Sequence, residues 1–248
     1  MNRVYLVGAG PGDPELISVK ALKILRNAEV VLYDRLVDRR ILRLIPKKAK
    51  KISVGKSKGE DSDEKQREIH ELILEYYSKG KNVVRLKGGD PFIFGRGGEE
   101  VEFMKSKGIR YTVVPGITSA LGIPTNIGLP LTHRNYSSSL MIIPGHLKKG
   151  KEPNWKVVAD FDGTIVILMG ASKIGEISKK LIELGKDSST PVCAIINGTT
   201  KRERIIVSTL RDIKNVESPA VIVIGKVVSL IEKDIITEAG RKIRRVEH

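Results

Sequence analysis

Residues 85–100 read RLKGGDPFIFGRGGEE, and both the fold and the chemistry are read outward from them. Val83, Val84 and Leu86 make an apolar strand that runs into Gly88-Gly89-Asp90-Pro91. A second bend, Gly95-Arg96-Gly97-Gly98, then opens onto an acidic helix start at Glu99-Glu100. Each glycine adds conformational entropy to the unfolded chain, so a purely architectural turn normally uses one or two. Main chain without side chains is useful where a ligand must approach closely. The alternative reading of the stretch is an unusually glycine-rich connector.

The same alternation of apolar run and amphipathic stretch extends in both directions. Val4–Val7, Val30–Leu32, Val83–Leu86 and Tyr111–Val114 read as short buried strands, with helical spacing over Val19–Leu25, Glu64–Tyr77 and Glu99–Lys107. That order predicts a mostly parallel sheet with helical crossovers. The polar passage His133-Arg134-Asn135-Tyr136-Ser137-Ser138-Ser139 breaks the rhythm and is the expected domain junction. Beyond it, strands are expected at Leu140–Ile143, Thr164–Leu168, Val192–Ile196, Arg204–Ser208 and Ala220–Ile224, with a helix from about Lys173 to Leu184. The fold class is therefore α/β: an N-terminal domain over residues 1–134, a C-terminal domain over 135–240 with a ligand cleft between them, and a basic tail at 241–248.

Length and composition narrow the function classes. A chain of 248 residues that is 40% hydrophobic can bury a real core. No run approaches the roughly 18 apolar residues of a membrane span, and strand residues stand where a signal peptide would need its apolar segment. The expectation is a cytoplasmic protein without membrane partners. Cys193, the single cysteine, lies in the apolar run Pro191–Ile196 and reads as a buried core thiol. The 44 basic and 29 acidic residues leave a net charge of +15, which favours an anionic partner without choosing one. Much of the excess sits in runs such as Lys47, Lys48, Lys50 and Lys51, which read as solvated faces. Six Tyr, four Phe and one Trp are too few for the stacking platforms of a single-strand binder, so nucleic acid is the disfavoured partner.

The first strand ends in Gly8-Ala9-Gly10-Pro11-Gly12-Asp13-Pro14, which departs from the dinucleotide fingerprint. That fingerprint needs glycine where Asp13 stands, so that a helix start can approach pyrophosphate. A carboxylate and two prolines are wrong for a phosphate, and a cationic or neutral nucleoside fits better. Asp34, ending the second strand, reads either as a ribose-binding acid or as an acidic residue that starts a loop. Pro115-Gly116-Ile117-Thr118-Ser119-Ala120 adds a bend whose hydroxyls either cap a helix or face a ligand. Met169-Gly170 and Asn197-Gly198 end two later strands. Several glycine loops at strand carboxyl ends together form the crevice that open α/β sheets use for binding.

GAGPGDPEL (8–16), VVLYDRLV (30–37), VGKSKG (54–59), VVRLKGGDPFIFGRGGEE (83–100), VVPGITSALG (113–122) and GLPLTHR (128–134) resemble the tetrapyrrole methyltransferases. Within that family they are most similar to the uroporphyrinogen-III C-methyltransferases. The likeness extends over about residues 3–228 and is closer in the first half. It implies a two-domain α/β fold distinct from the Rossmann methyltransferases, S-adenosylmethionine as methyl donor with S-adenosylhomocysteine as its product, no metal, and a homodimer. It also implies methylation of uroporphyrinogen III at C2 and C7 to precorrin-2, toward sirohaem, cobalamin or coenzyme F430. A sulfonium without phosphate agrees with the loop at Asp13, and a substrate with eight carboxylates agrees with the basic charge. Carried over by position, the donor contacts fall on Pro11, Gly88, Gly89, Asp90, Ile93, Thr118, Ser119, Met169 and Gly198. Asp34 corresponds to a proton acceptor and Lys56 to a proton donor. Arg85, Lys87, Arg96, His133 and Arg134 are candidate carboxylate anchors, with Arg96 equally able to hold its own loop. The sequence departs from the family at Pro144, His70 and Lys201–Arg204.

Overall fold

The computed structural model describes residues 2–55, 61–147, 151–231 and 244–245. It divides into two compact units, residues 1–119 and 120–248. The division falls between Ser119 and Ala120 rather than after Arg134. Residues 133–137 lie within the second unit, where the main chains of His133 and Ser137 close a tight turn.

The first unit carries β1 (Val4–Gly8), α1 (Val19–Arg26), β2 (Val30–Tyr33), α2 (Arg39–Leu42), β3 (Lys50–Ser53), α3 (Ser62–Ser78), β4 (Val83–Lys87), α4 (Gly97–Ser106) and β5 (Tyr111–Val114). Its five strands pair in the order β3-β2-β4-β1-β5, and every pairing is parallel. Helical crossovers between strands require this, because parallel neighbours cannot be joined by a tight hairpin. Side chains of a strand alternate between faces. Val31, Val84 and Leu86 therefore pack with α1 residues Ala21 and Leu25, while Val30, Leu32 and Val83 pack with Ile69, Ile73 and Met104 of α3 and α4. Arg85 and Lys87 share the face of Val83, so the β4 alternation points two cations at α3 and α4. The sequence did not reveal β3: Lys50 and Lys51 sit on it, exposed, at the sheet edge, where lysines discourage pairing with another chain.

α5 (Ser119–Asn126) leads into the second unit, which holds β6 (Leu140–Pro144), α6 (Trp155–Asp160), β7 (Thr164–Leu168), α7 (Ile174–Glu183), β8 (Pro191–Ile196), β9 (Arg204–Thr209), β10 (Ala220–Ile224) and β11 (Arg244–Arg245). The sheet order is β11-β9-β8-β10-β7-β6. Here the strand positions agree with the sequence but the sheet is mixed: β8 pairs antiparallel with β9 and β10, and β10 antiparallel with β7. No described helix separates β8, β9 and β10 from one another, so no crossover is available to make them parallel. α7 buries Ile174, Ile177 and Leu181 against one sheet face, each contributing roughly 1.5–3 kcal/mol. Cys193 lies on β8 in the opposite core layer, fully buried, and burial pushes its thiol up to about 12.

Candidate functional site

In the first unit the loops that leave β1, β4 and β5 are locked together by main chain. Ala9 N donates to Lys87 O at 2.7 Å, and Gly10 and Gly89 exchange hydrogen bonds, 2.8 Å from Gly89 N and 3.2 Å from Gly10 N. A Cβ on Gly8 would stand 2.6 Å from Gly116 N and 2.7 Å from Gly89 O, and one on Gly116 would overlap Gly89 O. Glycine at these two positions therefore serves the approach of backbone to backbone. Gly88 differs, since a Cβ there would meet Leu36 Cβ at an ordinary 3.5 Å. Gly89 has a φ of 64°, and its missing side chain would lie 3.5 Å from Ser119 N and 3.7 Å from Thr118 Cα.

Asp90 ties two of these loops. One carboxylate oxygen accepts from Phe92 N at 2.9 Å and the other from Gly116 N at 3.1 Å. Gly88, Gly89, Asp90, Thr118 and Ser119, named separately from sequence, are thus one structural cluster. Ile93 follows them on the surface, 40% exposed between Phe92 and Phe94, which are also exposed. Pro11 lies in the adjoining loop, whose Asp13 carboxylate accepts from Glu15 N and caps the short turn Pro14–Leu16.

Below the loops lies a buried ionic cluster. Arg85 is 2% exposed, Lys87 3% and Glu100 0%. Arg85 donates from Nε to Glu100 Oε1 at 2.9 Å and from Nη2 to Asp34 Oδ1 at 2.5 Å. Lys87 Nζ lies 3.0 Å from Glu100 Oε1 and 3.7 Å from Asp34 Oδ2. Gln66 of α3 donates to the same Glu100 oxygen at 3.3 Å and contacts His70 Nε2 at 3.1 Å. Burial alone would raise the Glu100 carboxyl, but the Arg85 and Lys87 charges outweigh it and hold it below the usual carboxylate range. Burial, reinforced by the Arg85 charge, pushes the Lys87 ammonium below its ordinary value despite Glu100 and Asp34. His70 is likewise lowered by burial.

Among the sequence-derived anchors, Arg85 and Lys87 are therefore occupied by Asp34 and Glu100. Arg96 sits in the left-handed region at φ 58°, one residue before α4, and pairs with Glu99 and with Asp63 at 3.2 Å. His133 packs edge-on against Tyr136 at 5.0 Å, and Arg134 is exposed beside it. Lys56 lies outside the described residues. Glu100 was visible in the sequence only as part of an acidic helix start. The missed signal is its spacing to Met104, which places it on the buried face of α4 while Glu99 faces water.

In the second unit, β6, β7 and β8 end at one edge of the sheet, since β10 runs antiparallel to both β7 and β8. Met169 follows β7 at φ 56° with its side chain 46% exposed. Its carbonyl accepts from His146 Nδ1 at 2.8 Å in the tautomer that carries the proton there. A left-handed, exposed methionine costs strain that a plain turn would avoid with glycine. Gly198 follows β8 between Asn197 and Thr199, both at positive φ, and a Cβ on it would overlap Ile123. Buried Glu203 holds this turn by accepting from Thr199 N at 2.8 Å.

The model of the Tetrapyrrole (Corrin/Porphyrin) Methylases matches residues 3–214. The chain belongs to that family. This tetrapyrrole methylase is 45% identical to the S-adenosyl-L-methionine-dependent uroporphyrinogen III methyltransferase of Methanosarcina barkeri, over 92% of the chain and 93% of that protein. It is 48% identical to siroheme synthase 2 of Aeromonas hydrophila over 94% of the chain, and it spans about half the length of the siroheme synthases it matches, 50% in that case. Among solved structures, the uroporphyrin-III C-methyl transferase of Thermus thermophilus complexed with S-adenyl homocysteine superposes with a TM-score of 0.82 at 44% identity, covering 92% of this methylase and all of that chain. No described helix is long and apolar enough to cross a membrane.

Proposed function

We propose that this tetrapyrrole methylase transfers methyl groups from S-adenosylmethionine to C2 and C7 of uroporphyrinogen III, giving precorrin-2. The observation that carries the reading is the near full-length likeness to methyltransferases named for that substrate, one of them holding the demethylated donor. The loops fit such a donor. Gly88 leaves bare main chain where a Cβ would meet only Leu36, at ordinary contact distance, and Met169 presents an exposed side chain from strained backbone. Pro11, Gly88, Gly89, Asp90, Ile93, Thr118, Ser119, Met169 and Gly198 are the proposed donor contacts.

When bound, S-adenosylmethionine supplies an electrophilic methyl on a sulfonium. The protein's contribution is alignment of that methyl with a pyrrole carbon, because orientation supplies much of the rate in a direct transfer. A proton must then leave to restore conjugation: a bond to hydrogen breaks, its electron pair returns to the ring, and the proton bonds to an Asp34 oxygen. Asp34 is 29% exposed and keeps its carboxylate at the protein surface while Arg85 grips it from below. Lys56, Arg96, His133 and Arg134 are assigned to the substrate's proton and carboxylates, in keeping with the +15 charge. The protein is proposed to work in the cytoplasm as a homodimer, without nucleic acid.

Incubation with uroporphyrinogen III and isotopically labelled donor, followed by mass spectrometry, tests this reading. Two labelled methyl groups on the product are expected. An unmethylated product, or labelling only of a more highly methylated corrin precursor offered in parallel, would reassign the substrate.

A further inference from the structure

We infer that Glu100 is a positioning residue for proton removal: acting through Arg85, it holds one oxygen of the Asp34 carboxylate at the end of β2, and through Lys87 it sets a cation beside the other. The inference rests on the methyltransferase reading and adds a residue that reading does not contain.

The geometry makes Glu100 the keystone of the cluster. Three donors converge on one of its oxygens: Arg85 Nε at 2.9 Å, Lys87 Nζ at 3.0 Å and Gln66 Nε2 at 3.3 Å. Its other oxygen is buried and has no hydrogen-bond partner among the described residues. Stability alone does not favour such an arrangement, because well-packed apolar side chains often replace a buried ion cluster at no loss. The planar fork of arginine explains its use here. Once Glu100 holds Nε, the Arg85 plane is set, and Nη2 falls on Asp34 Oδ1 at 2.5 Å. Lys87 approaches the other oxygen, Oδ2, at 3.7 Å. Among the described residues, both cations that address Asp34 are thus anchored on a single carboxylate behind them.

The main chain completes the placement. Asp34 N donates to Leu86 O at 3.1 Å, and Asp34 O accepts from Val37 N at 3.1 Å, so the residue is pinned to β4 and to its own turn. Around Glu100 stand Arg85 and Lys87 from β4, Asp34 after β2, and Gln66 with His70 behind it from α3. His70 stacks on Phe103 of α4 at 4.2 Å. Arg96 and Glu99 lie farther out on the α4 side and are felt by His70. Among the described residues, two positive and two negative side chains therefore balance in the cluster. Remove the Glu100 charge, and two cations act on Asp34 alone and make it a poorer proton acceptor. Remove the Lys87 charge, and the balance tips the other way.

Glu100→Gln keeps an acceptor in place and deletes only the charge, whereas Lys87→Gln deletes a cation. Each variant is compared with the wild type in single-turnover methylation of uroporphyrinogen III across pH, with S-adenosylhomocysteine affinity measured separately by calorimetry. Glu100→Gln is expected to slow turnover about 10- to 100-fold, as small misplacements near a reacting group do. Its acid limb should move to lower pH, and affinity for S-adenosylhomocysteine should stay within about twofold, since the lost charge is not at the donor loops. Lys87→Gln should move the acid limb to higher pH. Opposite displacements are not expected of two residues that merely hold the fold. An unchanged rate and profile in Glu100→Gln, displacement of both variants in the same direction, or a loss confined to S-adenosylhomocysteine binding overturns the inference. If Glu100→Gln does not fold, Lys87→Gln decides it, and an unmoved limb there overturns it. A wild type that neither methylates nor binds S-adenosylhomocysteine removes the activity reading and this inference together. An active wild type with unaffected variants removes only the inference.

Discussion

The two units place their unusual features in different parts of the chain's chemistry. The first is a wholly parallel sheet with Arg85, Lys87 and Glu100 buried as a charged cluster below its loops. The second is a mixed sheet in which Glu203 is the buried ion among the described residues, and that carboxylate accepts from a main-chain N–H. Both units hold non-glycine residues at positive φ, but in the second unit Met169 follows β7 and Asn197 and Thr199 follow β8, whereas Phe94 and Arg96 of the first unit lie in the turn before α4. Buried charge sets the proton affinity and orientation of a neighbour, whereas strained backbone holds a shape. On the proposed function, the buried charges of the first unit would serve the proton chemistry.

Asp34→Ala gives the largest expected effect. Loss of a positioned proton acceptor should slow single-turnover methylation by about 10²- to 10⁴-fold while leaving S-adenosylhomocysteine affinity unchanged. A variant that instead lost only affinity would break the division of labour.

Gly116→Ala and Gly88→Ala sharpen it within the loops. The Gly116 methyl would overlap Gly89 O and lie 2.8 Å from Gly8 Cα, so stability should fall by about 3 kcal/mol, seen as a Tm lower by roughly 6–12 °C. The Gly88 methyl meets Leu36 Cβ at 3.5 Å, so its Tm should hold while S-adenosylhomocysteine binding weakens. Equal thermal losses in the two variants would return the whole stretch to a purely structural role.

Met169→Ala has the smallest expected consequence. The exposed side chain contributes little to the core, so the Tm should change by no more than about 2 °C. Removing its apolar contact should weaken S-adenosylhomocysteine about tenfold, with the rate at saturating donor preserved. A fall in that saturated rate would extend the chemistry into the second unit.

Much of the architecture was legible because it is periodic. Apolar runs at Val4–Val7, Val30–Leu32, Val83–Leu86, Thr164–Leu168 and Ala220–Ile224 all form strands, since short runs of branched side chains have few other ways to become buried. The KKIS strand at 50–53 was hidden by its lysines, which suit an exposed edge and read as a charge run. The antiparallel pairing of β8 with β9 and β10 was not visible either, because residue patterns within a strand say little about which neighbour it takes.

By itself the sequence determined the α/β class, the family and the positions of the glycine loops, because glycine, proline and apolar spacing are local properties of a chain. Only the tertiary structure decided what the charges do. Arg85 and Lys87 look like surface cations in one dimension, and Glu99 and Glu100 look like twins. Folding brings residues 34, 66, 85, 87 and 100 together, burying Glu100 against both cations and leaving Glu99 in water with Arg96. A charge acquires its role from the partner it meets when water is removed, and that partner is fixed by strand order and helix packing rather than by proximity along the chain.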